Sequence, residues 1–479
     1  MVFDTASLVP VYPEIFLLAA ACLVLVVDVF LSDRNRLVTY ALSLFSLLGS
    51  LWLVSATAGA DQILLDGAYV RDGMGDILKS ALLLVSLGAF VYAKDYLRAK
   101  GMLRGEYYVL GLFAILGMMV MISANSFLIV YLGLELLALC LYALVAFDRD
   151  SKGGAEAAMK YFVLGAIASG MLLYGISMIY GATGALDFQS VAKELAEANS
   201  NRTVLVFGLV FVVIGIAFKF GAVPFHMWVP DVYHGAPVVV TLFLGSAPKI
   251  AAFALVMRIL VEGLGGLHVD WQGMLVIMAV LSLALGNVIA VAQSNVKRML
   301  AYSTISHVGF IFLGLLAGTS KGYTAAMFYA IVYAATAAGG FGILAMLSRE
   351  GFEAENLHDL KGLNERSPWL AGMMLLLMFS MAGVPPTVGF FAKLFVLDAV
   401  VSIDMVWLAV VGVFFSIIGA FYYIRVVKLM YFDKAITDAP IVAGMDTRIV
   451  VSVNGLLMLG LGMFPAGLFS ACQMAIGAQ

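Results

Sequence analysis

Charge is scarce in this sequence. Asp, Glu, Lys and Arg make up 12% of its 479 residues, about half the share found in ordinary soluble domains. With 63% hydrophobic residues and a mean hydropathy of +1.04, the composition excludes a water-soluble fold and requires lipid around the chain. Cysteine is nearly absent. Cys22, Cys140 and Cys472 stand singly on apolar segments, so the four thiolates of an iron–sulfur cluster cannot come from this chain, and the three read as small core residues. The five histidines, His226, His234, His268, His307 and His358, lack metal-ligand spacing and read as polar loop or core residues. No phosphate loop and no dinucleotide fingerprint follows a strand pattern. Any redox chemistry therefore belongs to a partner.

What is abundant is long apolar runs. Fourteen of them, each near 20 residues, are long enough to cross about 30 Å of hydrocarbon as helices. They cover about 14–31, 37–57, 74–93, 107–122, 124–147, 155–180, 203–222, 238–261, 273–294, 298–318, 322–348, 369–400 with a break, 405–431 and 449–472. The opening MVFDTASLVPVYPE has no basic leader and no small-residue cleavage site, so the first span is expected to stay. Sixteen basic residues, Arg34 among them, fall in the loops of one face and five in those of the other, which places both termini on the outer side. Six basic residues remain inside spans: Lys79, Lys160, Lys219, Lys249, Lys393 and Arg425.

A charge at the bilayer centre costs about 2.5 to 3.5 kcal/mol on insertion scales, so buried ammonium groups persist only if paired, hydrated or useful. Lys219, Lys249 and Lys393 are the deepest; Lys79, Lys160 and Arg425 lie near enough to span ends to snorkel outwards. Glu135, in the middle of YLGLELLALCLY, is the carboxylate available to pair with Lys219 across helices. The pattern is that of a device that moves protons. Two breaks accompany the lysines, GAVPF with Pro224 and AGVPPTVG with Pro385 and Pro386, where proline removes backbone donors inside apolar surroundings. Unsatisfied backbone at membrane depth needs water or protein around it, so each break predicts a hydrated cavity.

The charges also recur. Glu135 to His307, Lys219 to Lys393 and Lys249 to Arg425 are separated by 172, 174 and 176 positions. Five helices lie between corresponding spans, so the second copy enters the membrane in the opposite direction. The expected fold is an all-α polytopic membrane protein of about fourteen transmembrane helices. It contains two inverted five-helix repeats, helices 4–8 and 9–13, each with a broken helix. The expected divisions are three leading helices (1–106), a first repeat (107–261), a second repeat (273–431) and a last helix (449–479).

The run KFGAVPFHMWVPDVYHGAPVVVTLFLGSAPKIAAF, with YLGLELLALCLYALVAF and MAGVPPTVGFFAKL, resembles the antiporter-like membrane subunits of respiratory complex I, most closely those of the subunit N (subunit 2) type. The resemblance runs from the first helix to the last. It implies a glutamate–lysine pair at Glu135 and Lys219, a central relay at Lys249 and an exit lysine at Lys393. His226 and His307 would be accessory groups of a polar axis, and Lys160 a further lysine near one end. It also implies no cofactor in this chain, with FMN, iron–sulfur clusters and quinone in partner subunits. The implied neighbours are subunits K and M and lipid, with no nucleic acid, in a bacterial inner membrane. The same residues fit a Mrp-type cation/proton antiporter subunit, a plastid or cyanobacterial counterpart, or a static scaffold whose buried charges do not transfer protons.

Overall fold

The computed structural model describes residues 5–32, 35–197, 201–437 and 439–477; Arg34, counted above among the basic loop residues, lies outside them. The apolar runs form helices α1 (Tyr12–Phe30), α2 (Leu37–Ala56), α3 (Gly73–Ala99), α4 (Gly105–Ser123), α5 (Phe127–Val145) and α6 (Lys152–Thr183). A short α7 (Phe188–Ala196) precedes α8 (Arg202–Phe220), α9 (Trp228–Gly235), α10 (Val238–Gly245) and α11 (Ala247–Val256). Then come α12 (His268–Ala292), α13 (Val296–Leu316), α14 (Ser320–Leu347), the single turn α15 (Leu363–Arg366), α16 (Pro368–Ala382) and α17 (Val388–Val401). The chain ends with α18 (Val406–Phe432), α19 (Met445–Met463) and α20 (Ala466–Gly477).

Polar residues at the starts of these runs set where the helices begin. Asp72, Ser126, Ser151, Asn201, Asn295 and Thr319 each accept a hydrogen bond from an amide of the first turn, covering donors that have no partner within the helix. Close packing then depends on small residues. A Cβ on Gly117 of α4 would lie 2.7 Å from the Gly133 carbonyl of α5, and one on Gly175 of α6 2.6 Å from the Gly208 carbonyl of α8. Those pairs let the backbones approach where lipid supplies no hydrophobic drive between helices. The spans formed by α10–α11, by α13 and by α14 are enclosed, while α1, α18 and α19 turn most of their surface outwards.

Thirteen helices among the described residues are long and apolar enough to cross a membrane, and α16 with α17 makes the broken fourteenth. Three details differ from expectation. The eighth span is itself interrupted: α10 ends at Gly245, Ser246 adopts φ −113° and ψ −88°, and α11 starts at Ala247, with Pro248 in its first turn, before running into a wide π turn at Met257–Gly263. The last span divides into α19 and α20 around Pro465. Between α2 and α3 a small hairpin pairs β1 (Gln62–Leu64) antiparallel to β2 (Tyr69–Arg71), turning through Leu65, Asp66 and Gly67, all at positive φ.

The repeat is visible in the backbone. Ser126, just before α5, forms an isolated β-bridge with Asp187, just after α6; Asn295, just before α13, does the same with Asn356, beyond α14. Both bridges span 61 positions and they are 169 apart. The breaks repeat as well. Gly221 after α8 and Gly383 after α16, 162 positions apart, are both left-handed, with φ of 75° and 84°.

Candidate proton-transfer axis

Each break begins as a helix C-terminus closed by glycine. After α8, Gly221 N donates to the Phe218 carbonyl (2.9 Å) and Ala222 N to that of Ala217 (2.8 Å). After α16, Gly383 N donates to the Phe379 and Ser380 carbonyls and Val384 N to that of Phe379. The left-handed glycine reverses the chain and satisfies carbonyls that would otherwise be orphaned. The final carbonyl of each half-helix is taken by a lysine. Lys249 Nζ donates to Phe220 O at 2.8 Å, and Lys393 Nζ donates to Ala382 O at 2.8 Å. An ammonium at a helix C-terminus meets the negative end of the helix dipole, about half an elementary charge.

Lys249 and Lys393 thus do the same job in the two halves. The pairing of Lys219 with Lys393 by sequence offset does not hold in space, because Lys219 precedes its break and Lys393 follows its own. In the register of the repeated bridges, Glu135 corresponds to Thr304, with His307 one turn further along α13. The scaffold is copied between halves and the charges are not.

Lys249 is 1% exposed, in the first turn of α11, and its ammonium stands 5.8 Å from the centre of the Trp228 ring. Lys219, part-buried near the end of α8, donates to Ser169 Oγ of α6 at 3.2 Å. It lies within electrostatic reach of Glu135 but makes no ion pair with it; Glu135 Oε1 is enclosed without a hydrogen-bond partner, as is the Tyr142 hydroxyl. The expected glutamate–lysine pair is therefore open. A cavity of about 30 Å³ between Lys219 and Lys249, lined also by Tyr161 and Trp228, has room for a water molecule or two. His226 sits in the break itself, 7% exposed, with Nδ1 unpartnered.

In the second half, Lys393 also donates to Ser416 Oγ of α18 at 2.8 Å. A cavity of about 10 Å³ joins it to His307, Tyr329, Tyr333 and Ser380. His307 is buried, with Nδ1 2.7 Å from the Tyr329 hydroxyl and Nε2 3.0 Å from that of Tyr423.

The remaining lysines have other roles. Lys160 reaches the mouth of a polar cleft of about 690 Å³ on the basic face, bridging Glu156 and Asp231, each at 2.9 Å. Asp231 also accepts from Arg298 at 2.8 Å, so α9 is pinned between α6 and α13. Lys297 donates to the Ala236 carbonyl at 2.7 Å. Deeper in the cleft Glu353 accepts from Tyr96 and pairs with Lys100; burial opposes its charge, but Lys297 and Lys100 hold its carboxyl below the usual glutamate range. Lys79 does not snorkel: it is 2% exposed and ion-paired with Glu14. Arg425 faces the Val291 and Gln293 carbonyls at the end of α12.

Ser169, Asp231, Tyr329 and Tyr423 escaped the sequence reading. Asp231 stood inside the quoted PFHMWVPDVYHGAP run; the tyrosines carried no signal separable from core aromatics. The groups form two clusters, one of Lys219, Ser169 and Lys249 beside the first break and one of Lys393, His307, Tyr329 and Tyr423 beside the second, each with a small cavity. Ammonium, imidazole and hydroxyl groups are all able to exchange protons, and among the described residues no group of three or more His, Cys, Asp or Glu is placed to hold a metal ion.

Residues 124–419 match the family described as NADH:quinone oxidoreductase/Mrp antiporter, TM. The chain is 59% identical to the NADH-quinone oxidoreductase subunit N of Thioalkalivibrio sulfidiphilus, over 99% of this chain and all of that one. Among solved structures it is similar to a chain of respiratory complex I from Thermus thermophilus with bound aureothin, at TM-score 0.82 and 29% identity, covering 96% of this chain and 99% of that one. It is also similar to a chain of the archaeal membrane-bound sulfane sulfur reductase, at TM-score 0.87 and 25% identity, covering 98% of this chain and 97% of that one.

Proposed function

The chain belongs to the NADH:quinone oxidoreductase/Mrp antiporter membrane family, and from that premise we propose that it is a proton-translocating membrane-arm subunit of a proton-pumping NADH:quinone oxidoreductase. Quinone reduction takes place in partner subunits, which carry the FMN, the iron–sulfur clusters and the quinone site. This chain moves protons through Glu135, Lys219, Lys249 and Lys393, with His226 and His307 along the axis and Lys160 at the mouth of the basic-face cleft. Its neighbours in the arm are subunits of the K and M type. It lies in a bacterial inner membrane with the basic loops inside and both termini on the periplasmic side, as the loop charges argue.

The observation that carries the reading is the placement of Lys249 and Lys393. Each ammonium sits on the last carbonyl of a broken helix, has no carboxylate among its hydrogen-bond partners, and borders a water-sized cavity. A lysine held only by neutral carbonyl or hydroxyl oxygens gives up its proton far more readily than one locked to a carboxylate. Moving one charge against 100 mV costs about 2.3 kcal/mol, and a swing of two pKa units supplies about 2.7 kcal/mol, so such groups are matched to a pumping stroke.

The test is to purify the chain with its native partners and assay NADH oxidation by quinone alongside flavin and cluster absorbance. A complex with both, whose proton pumping in vesicles falls on Lys393→Met, supports the reading. A complex lacking flavin and exchanging sodium for protons without NADH would replace it with the antiporter reading that the family description also covers.

A further inference from the structure

His307 is hydrogen-bonded through both ring nitrogens to hydroxyl groups, and the line continues on one side. Tyr423 Oη, 3.0 Å from Nε2, is also 2.5 Å from Ser303 Oγ, one turn back on α13. On the other side Tyr329 Oη is 2.7 Å from Nδ1 and borders the cavity that contains Lys393. Lys393 Nζ stands 5.3 Å from the centre of the Phe310 ring, which stacks on Tyr329. Ser303, Tyr423, His307 and Tyr329 are all buried, at 1%, 2%, 6% and 2% exposure, and α13, α14 and α18 supply them.

A neutral imidazole has one donor and one acceptor nitrogen, and every hydroxyl is both donor and acceptor. The line can therefore run in either direction and reverse as a unit. We propose that Ser303, Tyr423, His307 and Tyr329 form a proton-relay line that recharges Lys393. The proposal rests on Lys393 being a proton carrier.

The step balances. A proton arriving at Ser303 Oγ displaces the serine hydroxyl proton to Tyr423 Oη, whose own proton passes to His307 Nε2. The Nδ1 proton moves to Tyr329 Oη, and the proton leaving Tyr329 makes the neutral Lys393 amine an ammonium. One proton is transferred, only Lys393 changes charge, and hydroxyl rotation with return of the imidazole tautomer resets the line. Tyr422, the next residue along, adjoins the line: its hydroxyl donates to Asn287 Oδ1 at 3.1 Å and also interacts with Tyr423 and Ser303. Tyr108 of α4, equally buried, has a hydroxyl with no hydrogen-bond partner among the described residues.

The experiment measures proton pumping driven by NADH in membrane vesicles carrying the assembled complex, in the Tyr423→Phe, Tyr329→Phe, doubly substituted, Tyr108→Phe and Lys393→Met variants. Phenylalanine keeps the ring and removes only the hydroxyl. The relay predicts at least about a tenfold loss in each single variant, in line with the contribution of a positioned proton-transfer group. The double variant should be no worse than either single one, because a line is broken only once. Tyr108→Phe, equally buried but outside the line, should pump normally. Wild-type pumping in Tyr423→Phe, or an equal loss in Tyr108→Phe, would overturn the relay. Wild-type pumping in Lys393→Met would instead overturn the underlying reading of the lysine.

Discussion

Glu135 and Lys219 stand unpaired in this conformation, each poised within reach of the other. Lys219 rests on Ser169 while one carboxylate oxygen of Glu135 has no partner, so the proposed pair is open. A nearby carboxylate favours the ammonium by about one to three pKa units, so under the proposed function closing of the pair would load Lys219 and opening would release its proton towards the cavity it shares with Lys249. Glu135→Ala and Lys219→Ala should each leave assembly largely intact and cut pumping at least about tenfold in reconstituted vesicles. Glu353 makes a different prediction, of stability. Its pKa is depressed in the folded state, so its contribution is complete above the ordinary glutamate value of about 4.3 and is lost as pH falls through the lower folded value. Thermal unfolding of the purified complex should show Glu353→Gln with a lower midpoint at pH 7, and the gap to the parent should close on acidification below about pH 4. A gap that persists there would mean the carboxylate's charge is not what matters.

The broken helices do more than make room. Gly221 and Gly383 turn left-handed so that the last carbonyl of each half-helix is left for a lysine, and a Cβ on Gly383 would lie 2.9 Å from Lys393 Cδ. Gly383→Ala should therefore cost about 1 to 2 kcal/mol in backbone strain and push the lysine off Ala382 O, lowering pumping more than stability. A normal pumping rate in an assembled Gly383→Ala complex would separate the carbonyl contact from function. Much of this element plan is legible in the sequence. A lone lysine in a run such as VLVFGLVFVVIGIAFKF cannot be mistaken for a surface residue, and glycine beside proline announces the break. The interruption at Ser246 is not legible in the same way, since Pro248 permits a helix to start there but equally a kinked one to continue. Tyr329 and Tyr423 are invisible because a hydroxyl on a core aromatic changes neither hydropathy nor period. Whether a buried lysine faces a carboxylate, a hydroxyl or a carbonyl depends on which helices touch, and spacing along one chain does not encode that.

At the scale of the whole molecule, two backbone copies run in opposite directions across the membrane, and under the proposed function their unequal charges would make two different half-routes on one scaffold. The constant 61-residue interval between bridges preserves the frame, while Lys219 before one break and Lys393 after the other set the routes apart. In the proposed route Lys249, enclosed in the eighth span, is the link between them, and the proposal stands or falls on whether it releases its proton. Arginine keeps the charge and could still meet the Phe220 carbonyl, but guanidinium holds its proton to a pKa above about 12 and does not act as a relay. The decisive measurement is NADH-driven proton pumping by assembled complex in vesicles carrying Lys249→Arg or Lys249→Met. The account predicts that both lose pumping at equal assembly; full pumping in the arginine variant with loss in the methionine variant would contradict it and leave Lys249 as a fixed charge that only holds the broken helix in place.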